Sequence, residues 1–220
     1  MHLLLYWKYS GEIIIYERRS VMNLLTHIEL SKVIYKNLKD KIVLEKNSFV
    51  YGNIKPDLTN KLLKKPHTVE NYMHYVCEEA EYLMEEEVSL HEFSFRLGEI
   101  CHYISDFFCL YHTDLEIFNE FKKHFIYELK LHFVLLKNIR SIGSKFGEIN
   151  SRQNIHSIIE EFQNQYFEKP SNMKKDLDYA FMATVYICET VYAFSKYSMK
   201  ENRRNDFYVY NNEMPIAGGQ

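Results

Sequence analysis

Residues 89–128 read SLHEFSFRLGEICHYISDFFCLYHTDLEIFNEFKKHFIYE. Leu90, Phe93, Leu97, Cys101, Ile104 and Phe108 recur every three or four residues, which predicts a helix from Ser89 to Tyr111. Ser89 with Glu92 three residues on has the form of a capping box, so the helix has a start as well as a stripe. A second long helix is expected over about 114–142, with Gly143 as its stop. Inside this helix pair stand His102, Asp106, His112, His124 and Glu128.

The pairs His102/Asp106 and His124/Glu128 are each spaced i, i+4, which puts both side chains on one helix face, one turn apart. Zinc takes neutral imidazole nitrogen and carboxylate oxygen at about 2.0–2.2 Å, and a rigid helix holds two such ligands in place before an ion arrives. His112, six residues after Asp106, is placed to join the second pair across the helix hairpin. Three protein ligands plus a water is the usual catalytic arrangement. A single H-x-x-x-E is weak, since it is more often a surface ion pair. At this composition the five-residue pattern arises by chance roughly a few times in a thousand such chains.

The run H-x3-D-x5-H-x11-H-x3-E resembles the ligand core of the bacterial zinc-dependent phospholipases C and of the related zinc-dependent single-strand nucleases. The resemblance implies an all-α fold with two to three zinc ions in a cleft. It implies that His102 and Asp106 bind a first ion, that His112, His124 and Glu128 bind a second, and that Asp106 bridges to a third. The family supplies an Asp and then a His from an upstream loop. Asp57 in YGNIKPD (51–57) and His67 after Pro66 match, making His67 a first-site ligand and Asp57 a ligand or general base. The early His of the family matches His27 in THIEL (26–30). The likeness covers about residues 22–130 and then continues only in helix length and type. Ser105 and Leu110 stand where secreted members carry a Gly or Thr and a Pro, and Phe108 replaces a small polar residue. These departures leave the ligands intact and reshape the expected cleft wall.

Elsewhere, helices are expected over about 23–39, 70–86, 151–166 and 172–200, and Asn47–His67 reads as an irregular loop because it holds Gly52, Pro56 and Pro66. The architecture expected is an irregular bundle of five to six helices around a tri-zinc cleft, spanning 22–205, with 206–220 a polar, Gly-rich tail. The glutamates that close the 70–86 helix read as a solvated face. His2, His74, His91, His132 and His156 read as structural or surface histidines without a ligand partner.

Seven Gly and four Pro in 220 residues are too few for the turns of a many-stranded β protein. The net charge of −3 gives no basic field for a stable nucleic-acid complex. Cys77, Cys101, Cys109 and Cys188 contain no CxxC pair and read as free thiols. Residues 1–21 show no export-signal pattern, and no stretch is long and apolar enough for a membrane span, so a cytoplasmic protein is expected. In the resembling enzymes the third zinc is held by the early His, the bridging Asp and the amino group of the first mature residue. That implies a start at Met22, five residues before His27, because a peptide nitrogen cannot replace a free amine. Glu17-Arg18-Arg19 can be encoded by purines alone and Ser20 can continue the run with AG, as a ribosome-binding site is. The appended lipid-binding domain of membrane-damaging relatives is not expected, and neither is a toxin role.

The function expected is zinc-dependent hydrolysis of a phosphodiester, first of a phospholipid, with Asp57 orienting or deprotonating water. A nuclease or 3′-nucleotidase on the same metal core, and a zinc-binding protein without turnover, are the alternatives.

Overall fold

A computed structural model describes residues 4–7, 13–16, 21–58, 65–113, 120–139, 142 and 154–198. Its helices are α1 (Val21–Leu38), α2 (Lys46–Leu58), α3 (Val69–Glu85), α4 (Leu90–Phe107), α5 (Phe121–Asn138), α6 (Ile155–Phe167) and α7 (Met173–Phe194), with a 3-10 turn at Leu110–His112. Two short strands, β1 (Leu4–Trp7) and β2 (Ile13–Tyr16), pair antiparallel with Leu4 opposite Tyr16. The all-α bundle expected from the sequence is the fold observed, with seven α-helices among the described residues where five to six were expected. The tail 206–220 lies outside the described residues.

The bundle is organised around α4, which packs against α2, α3 and α7. Ser89 caps it, its hydroxyl accepting from the Glu92 amide at 3.1 Å, while the Glu92 carboxylate turns to Arg96 Nε at 2.9 Å instead of closing the capping box. Every residue from Leu97 to Phe107 is buried. A helix buried all round is normally apolar all round, yet α4 carries Glu99, His102, Ser105 and Asp106 into the interior. Buried polar groups must be paired, so these four positions mark where the fold supports something other than packing.

The structure corrects the reading of Asn47–His67 as a loop: Lys46–Leu58 is helix α2. Gly52 and Gly98 explain the difference. A Cβ on Gly52 would lie 2.0 Å from the Phe95 carbonyl oxygen, and one on Gly98 would lie 2.2 Å from that of Phe49. The two glycines are therefore contact points that let α2 and α4 approach backbone to backbone, not turn formers. Pro56 falls in the last turn of α2, where its missing amide leaves only the Gly52 carbonyl without an in-helix donor. Tertiary packing outweighs local turn signals here.

Two other boundaries move. The helix expected to reach Tyr111 ends at Phe107, so the chain turns before His112. The next helix begins at Phe121, residues 114–119 lying outside the described set. Asn172 and Asn154 cap α7 and α6 by accepting from the Lys175 and His156 amides at 3.0 and 2.8 Å. The cysteines are free, and Cys101 meets Cys188 across the α4–α7 seam with sulfurs 3.2 Å apart. Among the described residues no helix is long and apolar enough to cross a membrane.

Candidate metal centre

The polar face of α4 is held in place by α2. His102 Nδ1 lies 2.8 Å from the carbonyl oxygen of Asn53. A carbonyl only accepts, so Nδ1 carries the proton and Nε2 carries the lone pair, aimed inward. Burial, and then the neighbouring His27 and His67, press the His102 pKa well below its usual value, keeping the ring neutral. A neutral imidazole with its far N–H donated to a backbone carbonyl is the form in which histidine ligates metals.

Asp106, one turn on from His102, is the hub. Its Oδ1 is 3.1 Å from His27 Nε2, and its Oδ2 is 2.9 Å from His67 Nδ1, 3.4 Å from His102 Nε2 and 3.7 Å from His112 Nδ1. Burial would raise this carboxyl, but the surrounding His112, His27 and His102 hold it well below the ordinary carboxylate range. Burial likewise works against charge on His27, and Asp106 outweighs it, raising His27 to about 9. Asp57, at the end of α2, completes this side with Oδ1 3.8 Å from His102 Nε2. Its side chain is 21% exposed against 0% for His102, so Asp57 is the more accessible of the two. Burial and then the Asp106 carboxylate raise its pKa, with His27 opposing.

The second group gathers His112 from the 3-10 turn with His124 and Glu128 from α5. His124 Nε2 is 2.9 Å from Glu128 Oε1 and 3.3 Å from His112 Nε2, and His112 Nε2 is 3.7 Å from Glu128 Oε1. Tyr111 stacks on the His124 ring, centroids 5.1 Å apart and planes 13° from parallel, which fixes the imidazole plane. Burial raises the Glu128 carboxyl and the two histidines more than reverse this, leaving it below the usual value.

Asp176 of α7 supports this second group and had no signal in the sequence. It is buried and accepts from the Leu110 amide at 3.1 Å, from the Tyr166 hydroxyl at 2.9 Å and from the Tyr127 hydroxyl. One carboxylate thus ties down both the turn that presents His112 and the residue next to Glu128. Nothing about its spacing points to the site, because its partners lie 10 to 66 residues away.

Do these side chains fit zinc? Ligand atoms about 2.0–2.1 Å from a tetrahedral ion stand about 3.3 Å from each other. Three sets, His27/His102/Asp106, Asp57/His67/His102 and His112/His124/Glu128, offer ligand atoms within 4.8 Å of one another, most of the measured separations being 2.9–3.8 Å. Two contacts join ring nitrogen to ring nitrogen, His102 Nε2 to His67 Nδ1 at 2.9 Å and His112 to His124. Such pairs need a shared proton or cation between their lone pairs. Buried atoms His27 Nδ1, His67 Nε2 and Asp57 Oδ2 have no hydrogen-bond partner among the described residues. A cavity of about 30 Å³ is bordered by His27, Asp106 and Glu128, with Phe108 and Asp176 behind; that is room for an ion or a water. The donor set fits zinc.

Met22 falls in the first turn of α1, and its side chain lies outside the described residues. Phe108 is fully buried among Phe162, Tyr166 and Tyr179, so it packs the core behind the site instead of facing a substrate. His74 and His156 do each have a glutamate one turn on, correcting the view that they lack one. Both pairs are exposed, His74–Glu78 at 3.2 Å and His156–Glu160 at 3.3 Å. His91 is exposed beside Glu45, and buried His132 meets the Thr26 hydroxyl at 3.3 Å. His2 lies outside the described residues.

No curated protein and no solved structure matches the chain. The sequence model of the zinc-dependent phospholipase C family matches residues 26–173, from the residue before His27 to the first residue of α7, and takes in all three ligand groups. The match extends over more than half of the chain, and the protein therefore belongs to the zinc-dependent phospholipase C family.

Proposed function

We propose that the protein cleaves a phospholipid at its phosphodiester, releasing diacylglycerol and a phosphorylated head group. The observation that carries this reading is the clustering of three ligand sets, two of which share His102, while Asp106 reaches the third through His112 at 3.7 Å. In it His67, His102 and Asp106 hold a first zinc with Asp57 beside it, His112, His124 and Glu128 a second, and His27 with Asp106 a third. Zinc bound there supplies Lewis acidity toward phosphoryl oxygens and water.

The chain's own residues do the rest. Asp106 stays ionised among its histidines and keeps neighbouring positive charges together. The Asn53 carbonyl holds the lone pair of His102 inward. Asp57, the most open of its set and raised in pKa, accepts the proton of the attacking water as the new P–O bond forms. The bond from phosphorus to the glyceride oxygen breaks, and that oxygen takes up a proton.

Tyr72 and Tyr75 beside the first group are the aromatics that a nuclease reading would call on for base stacking. One face of Tyr72 is already covered by Tyr103, 4.4 Å away and 17° from parallel, which leaves at most its other face for a base. Phosphatidylcholine, single-stranded DNA and a chromogenic phosphodiester assayed side by side test the lipid reading. Chelator-sensitive release of diacylglycerol is the expected result. Cleavage of DNA with no lipid product would assign the nuclease activity, and turnover of none of the three would make the protein a zinc binder.

A further inference from the structure

Helix α5 offers the site two ligands on its inner side and, on its outer side, an apolar face that no described residue covers. Phe125, Ile126, Phe133 and Leu136 are 46, 48, 61 and 44% exposed. At 100° per residue they fall within an arc of about 100°. The other exposed large hydrophobics among the described residues are scattered one or two to an element, on α1, the α1–α2 connection, α2, α3 and α6. Isolated exposed apolar side chains are ordinary, whereas four on one helix face mark an interaction surface.

The charge on this helix is one-sided. Lys123, Lys130 and Lys137, seven residues apart, form an exposed row along one edge of the apolar face, and Lys122 adds a fourth ammonium in the first turn. Glu128 is the helix's one carboxylate, and it is buried in the metal centre. Glu120, just before the helix, pairs with Lys123 at 2.9 Å. An apolar stripe with a lysine edge is the design of a helix that lies in the plane of a bilayer, the stripe among the acyl chains and the ammonium groups at the lipid phosphates.

We propose that the outer face of α5 docks the protein on the surface of an anionic phospholipid bilayer. Two further observations single out this occupant. A second copy of the chain would bring both lysine rows into one interface, and like charge disfavours it wherever those rows meet. His124 and Glu128 ride on the same helix, Glu128 about 60° round from Phe125, so docking brings lipid head groups to the edge of the ligand set. The proposal rests on the phospholipid reading for its purpose, but the docking itself is measured without catalysis.

The test uses zinc-loaded full-length protein with vesicles of phosphatidylcholine and phosphatidylglycerol, sedimented on ice. The wild type is expected to pellet with these vesicles and to be released by salt. Phe133→Glu, and separately the pair Lys130→Glu with Lys137→Glu, should each lower the bound fraction at least about fivefold, with zinc content and melting temperature unchanged. Wild-type protein that stays in the supernatant, or variants that pellet as it does, overturns the proposal. So does a wild-type dimer in sedimentation analysis that Phe133→Glu dissociates. Vesicle binding without lipid hydrolysis would instead contradict the substrate reading and leave the docking surface standing.

Discussion

His102 donates Nδ1–H to the backbone carbonyl of Asn53 at 2.8 Å, and so the lone pair of a central ligand is aimed by a peptide group of α2, not by a side chain. The contact depends on how closely α2 and α4 approach. Gly98→Ala would put a methyl group 2.2 Å from the Phe49 carbonyl oxygen, where only backbone can give way. It should destabilise the fold by about 1–3 kcal/mol or more and weaken zinc retention by withdrawing Asn53 from His102. Denaturant unfolding and chelator competition measure both. A variant with wild-type zinc affinity would show that the carbonyl is dispensable.

Asp176 is expected to hold the second ligand group from behind. Asp176→Asn and Tyr127→Phe should leave the first group loaded and weaken the zinc held by His112, His124 and Glu128 about 10- to 100-fold. Titration of the loaded protein with a chromophoric chelator reads this as one ion lost early. Uniform weakening of every ion would make Asp176 a fold residue only.

In the metal-free protein, Asp106 raises His27 from 6.5 to about 9 against the effect of burial, and it raises His112 in the same direction. A raised folded-state pKa contributes stability that is fully present below the unfolded value of 6.5 and is lost as pH climbs through about 9. The chelated protein should therefore lose thermal stability between pH 6.5 and 9.5. The zinc-loaded protein, whose ligands are already deprotonated, should change much less over that window. Zinc binding at pH 7 should also release protons, seen by calorimetry in buffers of different ionisation enthalpy. A chelated protein that gains stability across the window contradicts the assignment.

Most of the bundle could be read from apolar spacing, and so could the two i, i+4 ligand pairs, because both depend on positions close together in the chain. Spacing alone did not select the site, since exposed His74–Glu78 and His156–Glu160 have the same interval. The difference is burial, a property of the packed structure. Helix α2 was hidden by Gly52 and Pro56, whose turn signals are overruled by contact with Phe95 and Glu99 of α4. Asp57 and His67 were singled out through a family likeness and not through any local pattern, and the fold brings both to His102. Asn53 acts through its carbonyl, which every residue has, and Asp176 acts across 66 residues on Leu110. Neither leaves a mark on the sequence.

Asp57→Asn keeps the shape of the side chain and removes its basicity. Turnover should fall by about 10²- to 10⁴-fold while zinc content changes by less than one ion per chain. His124→Ala or Glu128→Ala should instead lose zinc. Near-wild-type turnover in Asp57→Asn would remove it from the chemistry.

Elemental analysis of the protein after zinc-supplemented expression and desalting tests the central claim most directly. The three ligand sets predict two to three zinc ions per chain, with loss of activity and a lower melting temperature on chelation. Less than one zinc per chain would contradict the account.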